Sequence, residues 1–176
     1  EDKPEMVVGS PPCTDCSVLN RAWNFPRMAP EDVLRRRTLA SVHLSFCCQI
    51  YLDQIKAGRY FLHEHPESAD SWLHPGITHV AKQTGVDIIK SDMCQFGMQA
   101  RADDGSMRLV QKPTKWMSNA RCVLRRLARR CPCRKGGGER LVPATSTEIN
   151  SGTLSRRAQT RGKSSTTGPD NQQTRT

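Results

Sequence analysis

Short apolar runs and longer mixed segments alternate over the first half of the chain, and their spacing predicts the order strand, helix, strand, helix, strand. Met6-Val7-Val8 stops at Gly9-Ser10-Pro11-Pro12, which predicts a buried strand over residues 5–9 opening into a proline-stiffened loop with Cys13 at its mouth. Pro30 followed by Glu31 and Asp32 marks a helix start, since proline suits the first turn and carboxylates favour the positive helix end. From there Ala40, Leu44, Cys47, Tyr51 and Ile55 recur at intervals of three and four as one apolar stripe, and Gly58 ends the helix. Arg59-Tyr60-Phe61-Leu62 predicts a second strand over 59–63, closed by His63-Glu64-His65-Pro66 because proline cannot continue a ladder. A weaker helical stretch from Ser68 to Gln83 is broken at Pro75-Gly76, and Val86-Asp87-Ile88-Ile89 predicts a third strand over 86–90.

This alternation predicts an α/β fold with a parallel sheet and flanking helices, in which ligands bind beyond the carboxyl ends of the strands. Cys13 and Glu64 both fall at such ends. Residues 92–117 mix short apolar pieces with glycine and Asp103-Asp104-Gly105, so a loop or irregular hairpin is expected there. Ser118 or Asn119 is expected to cap a last helix running to about Arg130. Its narrow stripe of Val123, Leu124 and Leu127 sits amid Arg121, Arg125, Arg126, Arg129 and Arg130, the best candidate nucleic-acid surface. Residues 134–176 contain no aromatic residue, four of Leu, Val and Ile, and thirteen of Ser and Thr, a composition that buries too little apolar surface to offset chain ordering. The expected organisation is therefore one domain over 1–133 and a disordered basic tail over 134–176.

Charge sharpens that division. The net charge is +10, yet Lys and Arg balance Asp and Glu at 14 against 14 over residues 1–119 and exceed them 13 to 3 over 120–176. A neutral body with a basic end is a different object from a uniformly basic protein, and the basic end reads first as a solvated appendage. The eight cysteines include the adjacent pair Cys47-Cys48 and show no repeating frame, so they read as reduced thiols. No basic-then-apolar leader opens the chain, and Thr38 to Leu52, the longest stretch without Asp, Glu, Lys or Arg, is too short and polar to span a bilayer. An intracellular protein with no membrane partner is expected, nuclear if it acts on DNA.

The chemistry clusters at the strand ends. Gly9-Ser10-Pro11-Pro12-Cys13-Thr14-Asp15-Cys16-Ser17 resembles the catalytic loop of the DNA cytosine-C5 methyltransferases, where a Pro-Cys pair follows a small-residue turn and a serine lies four residues beyond the cysteine. Carbon 5 of cytosine is a poor nucleophile until a thiolate adds at carbon 6, and cysteine suits that role because its thiol ionises near neutrality. By this resemblance Cys13 is the nucleophile. Arg59-Tyr60-Phe61-Leu62-His63-Glu64-His65-Pro66 resembles the next strand of that family, which ends in a glutamate that contacts the flipped base and assists protonation at N3. Glu64 takes that position, and Pro11, Pro12, Ser17 and His65 are its base-site support. Thr14 stands where glutamine is usual after the nucleophile, and His65 where asparagine is usual after the glutamate.

The blocks Phe61-Leu62-His63-Glu64-His65-Pro66 and Lys112-Pro113-Thr114-Lys115-Trp116-Met117 are similar to those of the divergent members found in retroelement polyproteins. The resemblance spans roughly residues 3–130 and implies an incomplete Rossmann-like, methyltransferase-type sheet. It also implies S-adenosylmethionine as donor in the intact parent domain, with DNA and the rest of a polyprotein as partners. A glycine-rich donor turn and a ribose-binding acid have no counterpart here, and Gly136-Gly137-Gly138 follows no strand. The chain starts at Glu1, at what would be the fourth strand, so a fragment inactive alone and holding no cofactor by itself is expected. The alternatives are a non-catalytic nucleic-acid-binding segment of a retrotransposon polyprotein and a non-functional, pseudogene-like translation.

Other readings of the same residues are set aside. Cys13 and Cys16 with His63 and His65 have ligand types that suit zinc, but the two imidazoles are expected to point to opposite sides of an extended segment, so no metal is assigned. Cys13-x-x-Cys16 as a redox pair fits poorly with a loop stiffened by Pro11-Pro12, and Cys131-Pro132-Cys133 has no matching second pair. Arg35-Arg36-Arg37 reads as the solvated face of the long helix. Trp72 and Trp116 read as core or cover in preference to base-stacking platforms.

Overall fold

A computed structural model of the chain describes residues 3–132 and 142–143. The first strand, β1, is Met6–Gly9, and after the Cys13 loop and three short helical turns the long helix α1 runs Pro30–Lys56. Next come strand β2, Tyr60–Pro66, helix α2, Pro75–Ala81, and strand β3, Asp87–Asp92. A helical turn at Met93–Phe96 leads into β4, Gln99–Arg101, then β5, Met107–Gln111, and β6, Pro113–Ser118. Helix α3, Arg121–Leu127, follows, and a two-residue strand β7 lies at Val142–Pro143. The fold is mixed α/β.

The predicted strands and the long helix are present, but β2 runs on through His63-Glu64-His65-Pro66, where the proline is expected to end the ladder, and the sheet is not all-parallel. Its order is β1-β2-β6-β3. β1 and β2 are parallel neighbours with Val8 opposite Leu62 and Gly9 opposite His63, whereas β6 runs antiparallel to both β2 and β3 and lies between them. The expected loop at 92–117 therefore contains three strands, one of them central to the sheet. Lys112-Pro113-Thr114-Lys115 hides it, because Pro113 at the strand's first position and two lysines look like loop, while the ladder on either side supplies the ordering.

α1 begins at Pro30 with Glu31 and Asp32 in its first turn and buries Leu44, Cys48, Tyr51 and Gln54 at intervals of four, three and three. Leu44, Cys48 and Tyr51, with Phe61, Trp72, Ile77, Val80 and Met117, form the core between one sheet face and the helices α1 and α2. Pro75 starts α2 instead of breaking a longer helix, and His74 accepts the Gly76 N–H at 3.2 Å as its cap. Asn119 fastens the start of β2: its Oδ1 accepts the Phe61 N–H at 3.1 Å and its Nδ2 donates to the Arg59 carbonyl at 2.8 Å. It does not cap α3. α3 is capped by neither predicted side chain, starts after Ala120, and stops at Leu127, short of Arg130.

Trp72 and Trp116 belong to the packed body, with indole N–H groups donating to the Pro66 carbonyl at 2.8 Å and the Ser91 hydroxyl at 2.7 Å. Cys13, Cys16, Cys47, Cys48, Cys94, Cys122 and Cys131 are free thiols. Among the described residues no helix is long and apolar enough to cross a membrane. The tail expected to be disordered lies outside the described residues, save that the backbone of β7 pairs in parallel with Val110 and Gln111.

Candidate functional site

The parallel register sets the site. Because Gly9 stands opposite His63, the next residue, Ser10, is level with Glu64 at the carboxyl end of the β1–β2 pair. The Ser10 hydroxyl donates to Glu64 Oε2 at 2.6 Å, and Lys112 Nζ stands 3.8 Å from Glu64 Oε1. One residue further along each strand, His65 Nε2–H donates to the Pro11 carbonyl at 2.9 Å. Its Nδ1 then accepts from the Ser71 hydroxyl, so the ring is held as the neutral Nε2–H tautomer. Burial pushes the His65 pKa down, against a smaller upward pull from the Pro11 carbonyl. The loop Ser10-Pro11-Pro12-Cys13 is thus tied by two side chains to the strand that bears Glu64.

Beyond Cys13 the chain makes a single helical turn, Thr14–Cys16, closed by the Cys16 N–H on the Cys13 carbonyl at 3.1 Å. Cys16 enters the core, and burial raises its thiol pKa, with Asp15 adding to the effect. Cys13 itself stays half-buried and Pro12 exposed. Ser17 acts locally: its hydroxyl accepts the Leu19 N–H at 3.2 Å. The turn is latched to α1 by Arg36, whose Nε is 2.8 Å from Asp15 Oδ1. Arg37 reaches toward Asp70 at 3.9 Å and lies over the Phe25 ring, and Arg21 pairs with Asp70 at 2.7 Å. The reading of Arg35-Arg36-Arg37 as a solvated face holds for Arg35, paired with Asp32 one turn earlier, and for the exposed Arg37, while Arg36 is half-buried against Asp15.

A cavity of about 500 Å³ opens beside this latch, lined among others by Asp15, Cys16, Arg21, Arg37, Ser41 and His74, but by neither Cys13 nor Glu64. The Glu64 carboxylate is turned into Ser10 and Lys112.

His63 and His65 correct the sequence reading. Two residues apart in a strand, they share a face, and their rings lie 5.0 Å apart between centroids, inside the core. His63 Nδ1 is 2.9 Å from the Tyr51 hydroxyl, its Nε2 is buried with no partner among the described residues, and its pKa is pushed down to about 3 by burial and then by His65. Among the described residues, no three His, Cys, Asp or Glu side chains are grouped to hold a metal ion.

Among the described residues, neither the glycine that ends β1 nor the acid that closes β3 is open to a ligand. Of the glycines among the described residues, Gly9 alone ends a parallel strand, and a Cβ built there would stand 1.9 Å from the Tyr51 hydroxyl, so its open side is filled by protein. Asp92, the acid closing β3, is fully buried with Oδ2 accepting the Cys131 N–H at 2.8 Å.

The arginines expected to form one nucleic-acid surface are divided. Arg121 pairs with Asp87 at 3.0 Å, Arg129 lies over the Phe96 ring, and Arg130 stands 3.4 Å from both Glu67 and Asp92. Arg125 and Arg126 are exposed on α3 and make no ion pair among the described residues.

Sequence reasoning missed Ser10, Lys112 and Ser71 as partners of Glu64 and His65. For Ser10, register carries that information: once β1 and β2 are taken as parallel with Gly9 opposite His63, Ser10 is level with Glu64. Comparison with protein-family models, with curated proteins and with solved structures finds no match to this chain.

Proposed function

We propose that this chain is the base-binding part of a DNA cytosine-C5 methyltransferase-like domain of the retroelement type, with Cys13 as nucleophile and Glu64 as the carboxyl group that holds the base and shares a proton with N3. The observation that carries the reading is the fastening of the Pro-Pro-Cys loop to the glutamate-bearing strand at the carboxyl ends of two adjacent parallel strands, through Ser10–Glu64 and Pro11–His65.

In this reading the thiolate of Cys13 adds to carbon 6, and the ring then behaves as an enamine at carbon 5. Ser10 and Lys112 set the orientation of Glu64, and His65, neutral and bonded on both nitrogens, fixes the Pro11 carbonyl and hence the loop. Methyl transfer would require S-adenosylmethionine held by a separate donor-binding half. DNA and the remainder of a polyprotein are the partners this reading implies.

The test uses DNA tritiated at cytosine carbon 5 and no donor. Addition at carbon 6 lets carbon 5 take a solvent proton, and reversal then releases tritium. Slow release is expected, abolished in Cys13→Ser and reduced about 10²- to 10⁴-fold in Glu64→Gln, the usual range for losing a general acid–base. Release that is unaffected by Cys13→Ser, or absent from the unaltered protein while it binds DNA, would overturn the assignment.

A further inference from the structure

Two thiols outside the Cys13 site are buried together. Cys94 lies in the helical turn directly after β3 and Cys131 just past α3, and each is about 5% exposed. Two hydrogen bonds anchor the chain beside each of them: the Asp92 N–H donates to the Arg129 carbonyl at 2.9 Å, and the Cys131 N–H donates to Asp92 Oδ2 at 2.8 Å. Cys131 lies beside the Cys94 thiol and, after burial, raises its pKa. Two free, buried thiols held side by side on anchored backbones are placed to close a disulfide by side-chain rotation.

We propose that Cys94 and Cys131 are a redox pair whose disulfide clips the segment after α3 to the end of β3. With a low-molecular-weight disulfide such as glutathione disulfide as oxidant, one protein thiolate attacks a glutathione sulfur and releases the first glutathione thiol. The second protein thiolate then attacks the mixed disulfide, forming the Cys94–Cys131 bond and releasing the second glutathione. Two protein thiols are oxidised and one glutathione disulfide is reduced, with both protons taken up by the departing thiolates. Burial, followed by the contact with Cys131, raises the Cys94 pKa, so oxidation quickens as pH rises. The bond would hold Arg129 over Phe96 and Arg130 against Glu67 and Asp92, keeping those two cations in intramolecular pairs.

The test takes the full chain carrying Cys133→Ser, so that the tryptic peptide 131–134 holds one thiol, and equilibrates it with glutathione disulfide at pH 8 before alkylation and mass spectrometry. The expected product is peptide 91–101 joined to peptide 131–134 and separated again by dithiothreitol. The oxidised protein should unfold several degrees higher than the reduced one, and Cys94→Ser and Cys94→Ala should each lose that difference while retaining the circular dichroism of the reduced protein. Separate glutathione adducts on the two cysteines, or linkage of either to a different cysteine, would overturn the proposal.

Discussion

Acid should destabilise this protein through His63 before its surface ion pairs matter. The ring is fully buried among Tyr51, His65 and Trp72, with one nitrogen bonded to Tyr51 and the other without a partner among the described residues. Its pKa falls from 6.5 to about 3 on folding, first because burial penalises the imidazolium and then because His65 lies beside it. A group with a depressed folded pKa binds its proton more readily when unfolded, so its contribution is complete above pH 6.5 and is lost as pH falls toward 3. Each pH unit within that window removes about 1.4 kcal/mol, which amounts to roughly 2 kcal/mol between pH 7 and pH 5 and at most about 5 kcal/mol below pH 3.

The assay is urea denaturation followed by circular dichroism at pH 7, 6 and 5, on the unaltered chain and on His63→Phe. Phenylalanine keeps the ring and removes the proton site. At pH 7 the variant loses the Tyr51 bond, about 1 kcal/mol, but between pH 7 and 5 it should lose about 2 kcal/mol less than the unaltered protein. His65 and the carboxylates are common to both proteins and cancel in that difference. Parallel pH dependences would show that His63 is not held neutral by burial and would refute the reasoning.

Other outcomes follow from the same geometry. Gly9→Ala should destabilise by roughly 1–3 kcal/mol in denaturant titration, because a Cβ there meets the Tyr51 hydroxyl and overpacks the site; a stability within error of the parent would contradict that close approach. Arg36→Ala should cost no more than about 1 kcal/mol of global stability, since the pair with Asp15 is partly solvated, while hydrogen exchange quickens over residues 14–28. Isothermal calorimetry with S-adenosylmethionine should show no binding, and saturable binding would mean that a donor site exists where Tyr51 fills the side of Gly9. In salt titrations of DNA binding, the double change Arg125→Ala and Arg126→Ala should reduce the logarithmic salt slope by roughly 2, whereas Arg121→Ala should change it less because Arg121 is committed to Asp87.

The sequence alone determined the local elements whose cause is local. Pro30, Glu31 and Asp32 start α1 and the spacing of Leu44 and Tyr51 orients it, while Met6-Val7-Val8 before Gly9 and Tyr60-Phe61-Leu62 after Gly58 carry enough apolar density to be strands. The loop at Pro11-Pro12-Cys13 and the glutamate in β2 were legible for the same reason, since proline and the end of an apolar run are properties of neighbouring residues. Only the tertiary structure decided what depends on residues far apart. β6 has the composition of a loop and becomes a central strand because β2 and β3 offer it two ladders. His63 and His65 become a buried pair because α1 and Trp72 cover their face of the sheet. Ser10 becomes the partner of Glu64 through register, and three of five clustered arginines are drawn apart at the surface because Asp87, Phe96, Glu67 and Asp92 meet them in space. Spacing along a chain reports faces and ends, but hydrogen bonds and ion pairs form between neighbours in space, and those neighbours are set by sheet order.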